Sequence, residues 1–276
     1  MPEADTIHPD TQPLTVHLLT GQLEACGLAP GQTVLVHTAM SKLGWVCGGP
    51  VAVIEALLEV LGPQGTLMMP AHTTSNTDPS NWEDPSVPES WWETIRASMP
   101  AFDPRVTPTR QMGRVAELFR TYPGAVRSNH PIGSFASLGP NAAVLTETHL
   151  LKEEFGDASP LGKLYELDGH VLLLGVGHIN NTSLHLAEYR AEFPGKTYAD
   201  EGTAMLVGGE RRWVTFKSLD WEPDDFGTLG DAYEEARGVK RHSVGRTEAR
   251  FMEQRPLVDW AVRWLEENRS ENSDAS

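Results

Sequence analysis

Apolar residues along this chain follow two rhythms. Short runs of four to six, bounded by turn residues, recur at 33–37, 66–69, 134–138 and 171–176 and predict buried strands. Between them run stripes at helical spacing. Leu14, Leu18, Leu23 and Cys26 mark a helix over 14–27, and Val51, Ile54, Leu57, Leu58 and Leu61 mark another that starts at Pro50. Gly62-Pro63-Gln64-Gly65 ends it, so 33–69 reads strand–helix–strand: a parallel pair with a right-handed crossover. Further helices are predicted at 112–121, after Asn141, and at 160–167, 182–190, 228–237 and 256–268. The stretches 203–207 and 211–217 flank Gly208-Gly209 as a β-hairpin. The expected fold is α/β, a three-layer arrangement of a mixed β-sheet covered by helices. One domain over 14–268 is expected, with flexible acidic tails at 1–13 and 269–276 and no internal repeat.

Residues 71–109 break the rhythm. Six prolines and three tryptophans, Trp82, Trp91 and Trp92, fall there. A loop this long in a compact domain is usually functional or disordered, and the tryptophans argue against disorder. It is read as a substrate-side excursion with a short helix near 89–97.

Charge narrows the function. The chain of 276 residues carries a formal −16, and about −10 remains once the acidic tails are set aside. That disfavours nucleic acid or an anionic membrane and suits a cationic ligand, or plain solubility. The two cysteines, Cys26 and Cys47, are too far apart in sequence to suggest a disulfide framework. No secretory leader opens the chain, and no apolar run reaches the roughly 18 residues of a membrane span. A cytoplasmic protein is expected.

Candidate chemistry concentrates in 171–190, VLLLGVGHINNTSLHLAEYR. A strand ends near Val176, Asn181 or Thr182 offers an N-cap, and His185 lies in the first turn of the helix that follows. The carboxyl end of a strand is where α/β active sites collect. A neutral imidazole there can act as general base; the plainer alternative is a core histidine bonded to a carbonyl. A second segment, His37 to Pro50, joins a strand to a helix through Gly44, Gly48 and Gly49, and its backbone amides suit a phosphate. Its spacing matches neither the dinucleotide fingerprint nor a Walker loop. Thr107-Pro-Thr-Arg110 and Arg127-Ser-Asn-His130 bring arginines and hydroxyls suited to phosphate. Asp220 to Asp225 supplies a run of carboxylates, with Asp200 and Glu201 nearby in sequence. His178, His185 and Glu188 lack the paired histidines of a zinc helix, because Tyr189 stands at the needed position, so no metal is expected.

Taken together, these segments resemble the aminoglycoside 3-N-acetyltransferases. The matching pieces are Val34 to Thr38 through Gly44-Trp-Val-Cys-Gly-Gly-Pro50, Trp91-Trp92 with Met99 to Pro104, Thr107-Pro-Thr-Arg with Met112 to Glu117, Arg127-Ser with His130-Pro and Ser134-Phe-Ala136, Ser159 to Gly162, and Leu172 to Arg190. They run in order over roughly 14–265. The resemblance implies the fold of the antibiotic N-acetyltransferases and acetyl transfer from acetyl-coenzyme A to the 3-amino group of a 2-deoxystreptamine aminoglycoside. It places the general base on His185 and an orienting carboxylate on Glu222. Coenzyme contacts fall on His37, Thr38, Ser41, Gly44, Val46, Thr107, Thr109, Arg127, Ser128, Ser134 and Phe135. Substrate contacts are expected at Thr73, Asp78, Trp82, Asp200, Glu201, Asp224 and Asp225. The oxyanion donor is expected near Ser41 or Thr73, with direct attack in a ternary complex; Cys47 makes an acyl-enzyme route conceivable. Ala39-Met40 and Ile179-Asn180 depart from commoner versions of the family, which leaves the substrate range open. Transfer to another amine, or cation binding without catalysis, are the competing functions, and a monomer or homodimer is compatible with the sequence.

Overall fold

The computed structural model describes residues 6–7, 12–83 and 85–269. At its centre is a seven-stranded mixed sheet in the order β3-β4-β2-β1-β5-β9-β8. The strands are β1 (Thr33–Thr38), β2 (Thr66–Pro70), β3 (Val126–Arg127), β4 (Phe135–Leu138), β5 (His170–Leu174), β8 (Arg241–Val244) and β9 (Thr247–Glu253). β2 and β5 run parallel to β1 on either side; β4 and β9 join antiparallel outside them. The predicted parallel pair is present in the predicted register of elements. β6 (Tyr198–Val207) and β7 (Glu210–Leu219) form a separate two-stranded ribbon, longer than the hairpin expected from sequence.

The inner strands are apolar throughout because both faces are covered. Val34, Val36, Leu67, Met69, Leu172 and Leu174 point to one side. There they meet α1 (Val16–Ala25), α3 (Gly49–Leu61) and α5 (Gly113–Phe119). Leu35, Met68, Val171 and Leu173 point to the other. There they meet α7 (Pro160–Glu166), α8 (Ser183–Arg190), α9 (Phe226–Arg237) and α10 (Gln254–Asn268). This period-two split makes three layers. Ile54 and Leu57 of α3 are fully buried, each contributing about 1.5–3 kcal/mol of apolar burial.

Smaller helices are α2 (Met40–Leu43), α4 (Trp92–Ser98) and α6 (Ala142–Thr146). α4 lies in the proline-rich excursion, where the short helix was expected. Strands β8 and β9 were not expected; only Val244, Ala249 and Met252 of that hairpin are buried, so its sequence reads as polar. The tails expected at 1–13 and 269–276 lie mostly outside the described residues. Arg269, within the described residues, is held in place, because it forms ion pairs with two carboxylates.

Candidate active site

Three neighbouring parallel strands each deliver a histidine toward the same end of the sheet. His37 stands one residue before the end of β1, His72 two residues past β2, and His185 in the first turn of α8 after β5. Gly175, with φ +74°, turns the chain sharply out of β5. The Asn181 side-chain oxygen accepts the Ser183 amide at 3.2 Å, a turn that leads through the N-cap Thr182 into α8 two residues before His185.

His185 is 7% exposed and lies among rings: stacked on Phe155 at 4.9 Å, with Trp221 and Phe226 each at 4.8 Å. Its Nδ1 is 2.5 Å from Glu188 Oε2, one helical turn along α8. Glu188 is fully buried. Burial pushes its carboxyl up, but the hydrogen bond and charge of His185, together with Arg269, outweigh this and hold it below the usual range. An ionised Glu188 fixes the proton on Nδ1 and leaves Nε2 as the basic nitrogen. The second carboxylate oxygen accepts Arg269 Nη1 at 2.6 Å and the Glu222 amide at 3.0 Å. The carboxylate bonded to His185 is therefore Glu188. Glu222, to which the sequence reading gave that role, contributes its backbone N–H to Glu188, and its own carboxylate accepts the Asp224 amide.

His37 and His72 are neutral. Burial, then the charge of His185, lowers His37 to about 3, and its Nε2 meets Thr182 Oγ1 at 3.2 Å. Burial lowers His72 well below the ordinary histidine value. His72 Nε2 and Thr38 Oγ1 are both buried without a protein partner, and both residues line the cleft. Two unbonded polar atoms facing one cavity are what a polar ligand would satisfy.

The cleft, of about 730 Å³, is lined by His37, Thr38, Ser41, His72, Phe155 and His185 among others. A second lobe of about 550 Å³ shares Thr74, Gln111, Glu154 and Trp221 with it and is lined by Trp82, Glu83, Glu201 and Asp220. A third hollow adjoins the cleft at Val176 and carries Lys42, Arg246 and Arg250 against a single carboxylate, Glu248. Lys42 and Arg246 have no ion-pair partner among the described residues, whereas Arg250 is paired with Glu234. Gly44, at φ +93°, leaves room for the Arg246 stem: a Cβ there would come within 3.0 Å of Arg246 Cδ. The cavity system is thus acidic at one end and cationic at the other, with His185 between.

The model of the aminoglycoside 3-N-acetyltransferase family matches residues 35–266. The aminoglycoside N(3')-acetyltransferase-like protein YokD of Bacillus subtilis is 42% identical over 96% of this chain and 97% of its own. The chain belongs to the aminoglycoside 3-N-acetyltransferase family. Aminoglycoside N(3)-acetyltransferase VII of Streptomyces paromomycinus is 40% identical, covering 92% of both chains. The crystal structure of YokD superposes with a TM-score of 0.93 over 99% of this chain and all of the other. The binary complex of AAC-IIIb with CoASH does so at 0.83, with 29% identity, over 95% of this chain and all of that one.

Within this acetyltransferase, several residues expected at the ligands form the wall behind them. Ser128, Ser134 and Phe135 are fully buried, so they support the cleft and do not reach into it. Arg127 donates to Ser134 Oγ and to the carbonyls of Pro104, Thr107 and Ala71, and burial lowers it to about 10. Thr107 Oγ1 accepts the Asp103 amide, and Thr109 Oγ1 donates to Glu117. Thr73 is fully buried and donates to the Pro131 carbonyl at 2.5 Å, which removes it as an oxyanion donor. Val46 is buried and bridges to Leu14, so its side chain belongs to the core.

The carboxylates also sort themselves. Glu201 and Trp82, expected at the substrate, line the acidic lobe. Asp78 pairs with Arg96, Asp200 with Lys217 and Asp225 with Arg269, so basic partners exist that spacing did not reveal. Asp224 is exposed and lines neither lobe. His178, once weighed as a metal ligand with His185, turns instead to Glu234 at 3.0 Å. Sequence reasoning passed over Glu154, which carries no local motif, and gave His72 no role beyond that of a distant metal partner.

Proposed function

We propose that this enzyme transfers an acetyl group from acetyl-coenzyme A to the 3-amino group of a 2-deoxystreptamine aminoglycoside, with His185 as general base. The observation that carries the reading is the buried His185–Glu188 pair placed between an acidic lobe and a cationic hollow. Acetyl-coenzyme A supplies the thioester. Its pantetheine arm would run along Thr38 to Ser41 and the Gly44–Val46 backbone, with its phosphates toward Lys42 and Arg246. A polycationic sugar suits the lobe of Glu83, Glu201 and Asp220.

The attacking amine is mostly protonated at neutral pH. His185 Nε2 takes its proton, and Glu188 stabilises the imidazolium that results. Arg269 keeps Glu188 ionised throughout. Thr38 Oγ1, buried and unbonded on the cleft wall, is the hydroxyl best placed to donate to the oxyanion, together with Ser41. Direct attack with both substrates bound forms the amide C–N bond as the thioester C–S bond breaks; the departing coenzyme A thiolate takes the proton held on His185, and no acyl-enzyme is needed.

The test is acetyl-coenzyme A turnover against a panel of aminoglycosides and simple amines, with the acetylated position assigned by NMR. Acetylation at the 3-amino group supports the reading. Turnover confined to simple amines would replace it with that of an N-acetyltransferase for another substrate.

A further inference from the structure

Glu154 is a buried ionisable group that the mechanism above does not use. It is 4% exposed and lies where the acidic lobe opens into the cleft of His185. The fold makes space for it: a Cβ on Gly133 would come within 2.5 Å of Glu154 Cγ. Its backbone carbonyl is fixed by His149 Nε2 at 2.8 Å, and its Oε2 accepts Ser218 Oγ at 3.3 Å. The next residue, Phe155, stacks on His185, and Trp221 touches that imidazole while lining both cavities. Glu154 therefore stands one side chain away from the base.

Among the described residues no cation forms an ion pair with it. Around it are Glu201 from β6, Tyr189 from α8, Asp220 beyond β7, His72 beyond β2, and Arg110 on the lobe wall. A buried carboxyl without a cationic partner is costly when ionised, yet here one has a prepared niche at the junction of two cavities.

We infer that Glu154 is a specificity-determining residue that receives an ammonium group of the aminoglycoside ring bearing the reacting amine, and thereby sets which amine meets His185. This rests on the aminoglycoside reading above. Burial first, then the charge of Glu201, raises the free carboxyl to about 7, so it is largely protonated in mildly acidic solution. An arriving ammonium favours the carboxylate. The proton of Glu154 then leaves to solvent, and a buried ion pair replaces a buried neutral acid. Substrate binding is in this way linked to proton release.

The experiment compares wild type, E154Q and E154D with neomycin at pH 6.5. Steady-state kinetics accompany calorimetric titration in two buffers of different ionisation enthalpy. Wild type should release about half to one proton more per site than E154Q, since the carboxyl ionises only in the complex. KM for neomycin should rise about 30-fold or more in E154Q, as for loss of one member of a buried charge pair, with kcat changed less than about threefold. E154D should regain part of the proton release. Equal melting temperatures would show that the variants are folded. E154Q matching wild type in KM and in proton count overturns the inference, and so does a fall in kcat at unchanged KM. Wild type failing to acetylate any aminoglycoside of the panel refutes the proposed function instead, so the two failures are distinct.

Discussion

Arg269 and Glu188 are 81 residues apart in the chain and 2.6 Å apart in space. The guanidinium reaches across from the end of α10, over the Phe193 ring, to the carboxylate that holds His185. It also clamps Asp225 and donates to the Glu222 carbonyl. The base is therefore held by one helix and secured by another.

Removing that guanidinium should be severe. R269A leaves a fully buried carboxylate with one partner fewer, at a cost of about 3–5 kcal/mol. Glu188 should then titrate higher, because burial would be opposed by His185 alone. The expected result is a lower melting temperature and an acid limb of kcat displaced upward in pH. R269K should recover part of both. An unchanged pH profile in R269A would show that Arg269 serves stability alone.

For the base itself, H185A should lower kcat by about 10²–10⁴-fold, the range for loss of a general base. Coenzyme A affinity, read by calorimetry, should stay near wild type, because the phosphates are assigned to a separate hollow. Near-normal turnover in H185A at neutral pH would remove His185 from the mechanism.

That hollow makes its own prediction. Lys42 and Arg246 face it without acidic partners among the described residues, so K42A/R246A should raise KM for acetyl-coenzyme A by about tenfold or more, one charge-assisted hydrogen bond being about 1.5–3 kcal/mol. The aminoglycoside KM should scarcely move. A coenzyme KM indifferent to the double change would place the phosphates elsewhere, along the Gly48-Gly49 turn.

Acid should destabilise the fold early. His37, His72, His130 and His149 are held neutral by burial, down to about 3 for His37 and about 4 for His130. Their unfolded value is near 6.5, so below that pH the unfolded chain takes up protons that the native state refuses. Each histidine then removes about 1.4 kcal/mol of stability per pH unit until its own folded value is reached. Glu154 works the other way: raised in the fold to about 7, it favours the native state as pH falls from 7 toward 4.5, offsetting about one histidine. Melting temperature should fall steeply below about pH 6.5, and more steeply in E154Q. A flat profile from pH 7 to 5 would contradict the neutral assignment of these rings.

How much of this was legible in the sequence depends on whether the signal is local. The stretch 171–176 is a continuous apolar run and 182–190 carries a helical pattern, and together they placed His185 just past the end of a buried strand. The partner carboxylate was equally local: Glu188 stands at i+3, a spacing that puts two side chains on one helical face. Glu222 drew the role because it lies in a dense acidic run, a compositional cue that says nothing of direction. Glu154 and His72 could not be found this way. Each is brought to the cleft by contacts with residues far away in sequence, such as Ser218, and neither sits in a recognisable motif. The β8–β9 hairpin escaped because edge-side strands with long charged residues hide their alternation. The arginine and hydroxyl segments drew attention for their chemistry, yet Arg127 and Ser134 use that chemistry on the backbone behind the cleft.

The β6–β7 ribbon stands outside the seven-stranded sheet, yet it supplies Ala199, Glu201, Ser218 and Leu219 to the acidic lobe. It is tied to the proline-rich excursion through Phe102–Met205 and Asn76–Thr203. His185, Glu188 and the cationic hollow belong to the sheet and its helices. On the proposed function, sequence drift in the ribbon would reshape which cation is admitted and leave the His185–Glu188 pair untouched. A lineage built on this plan can diversify its substrates by altering one outlying hairpin, without rebuilding its catalyst.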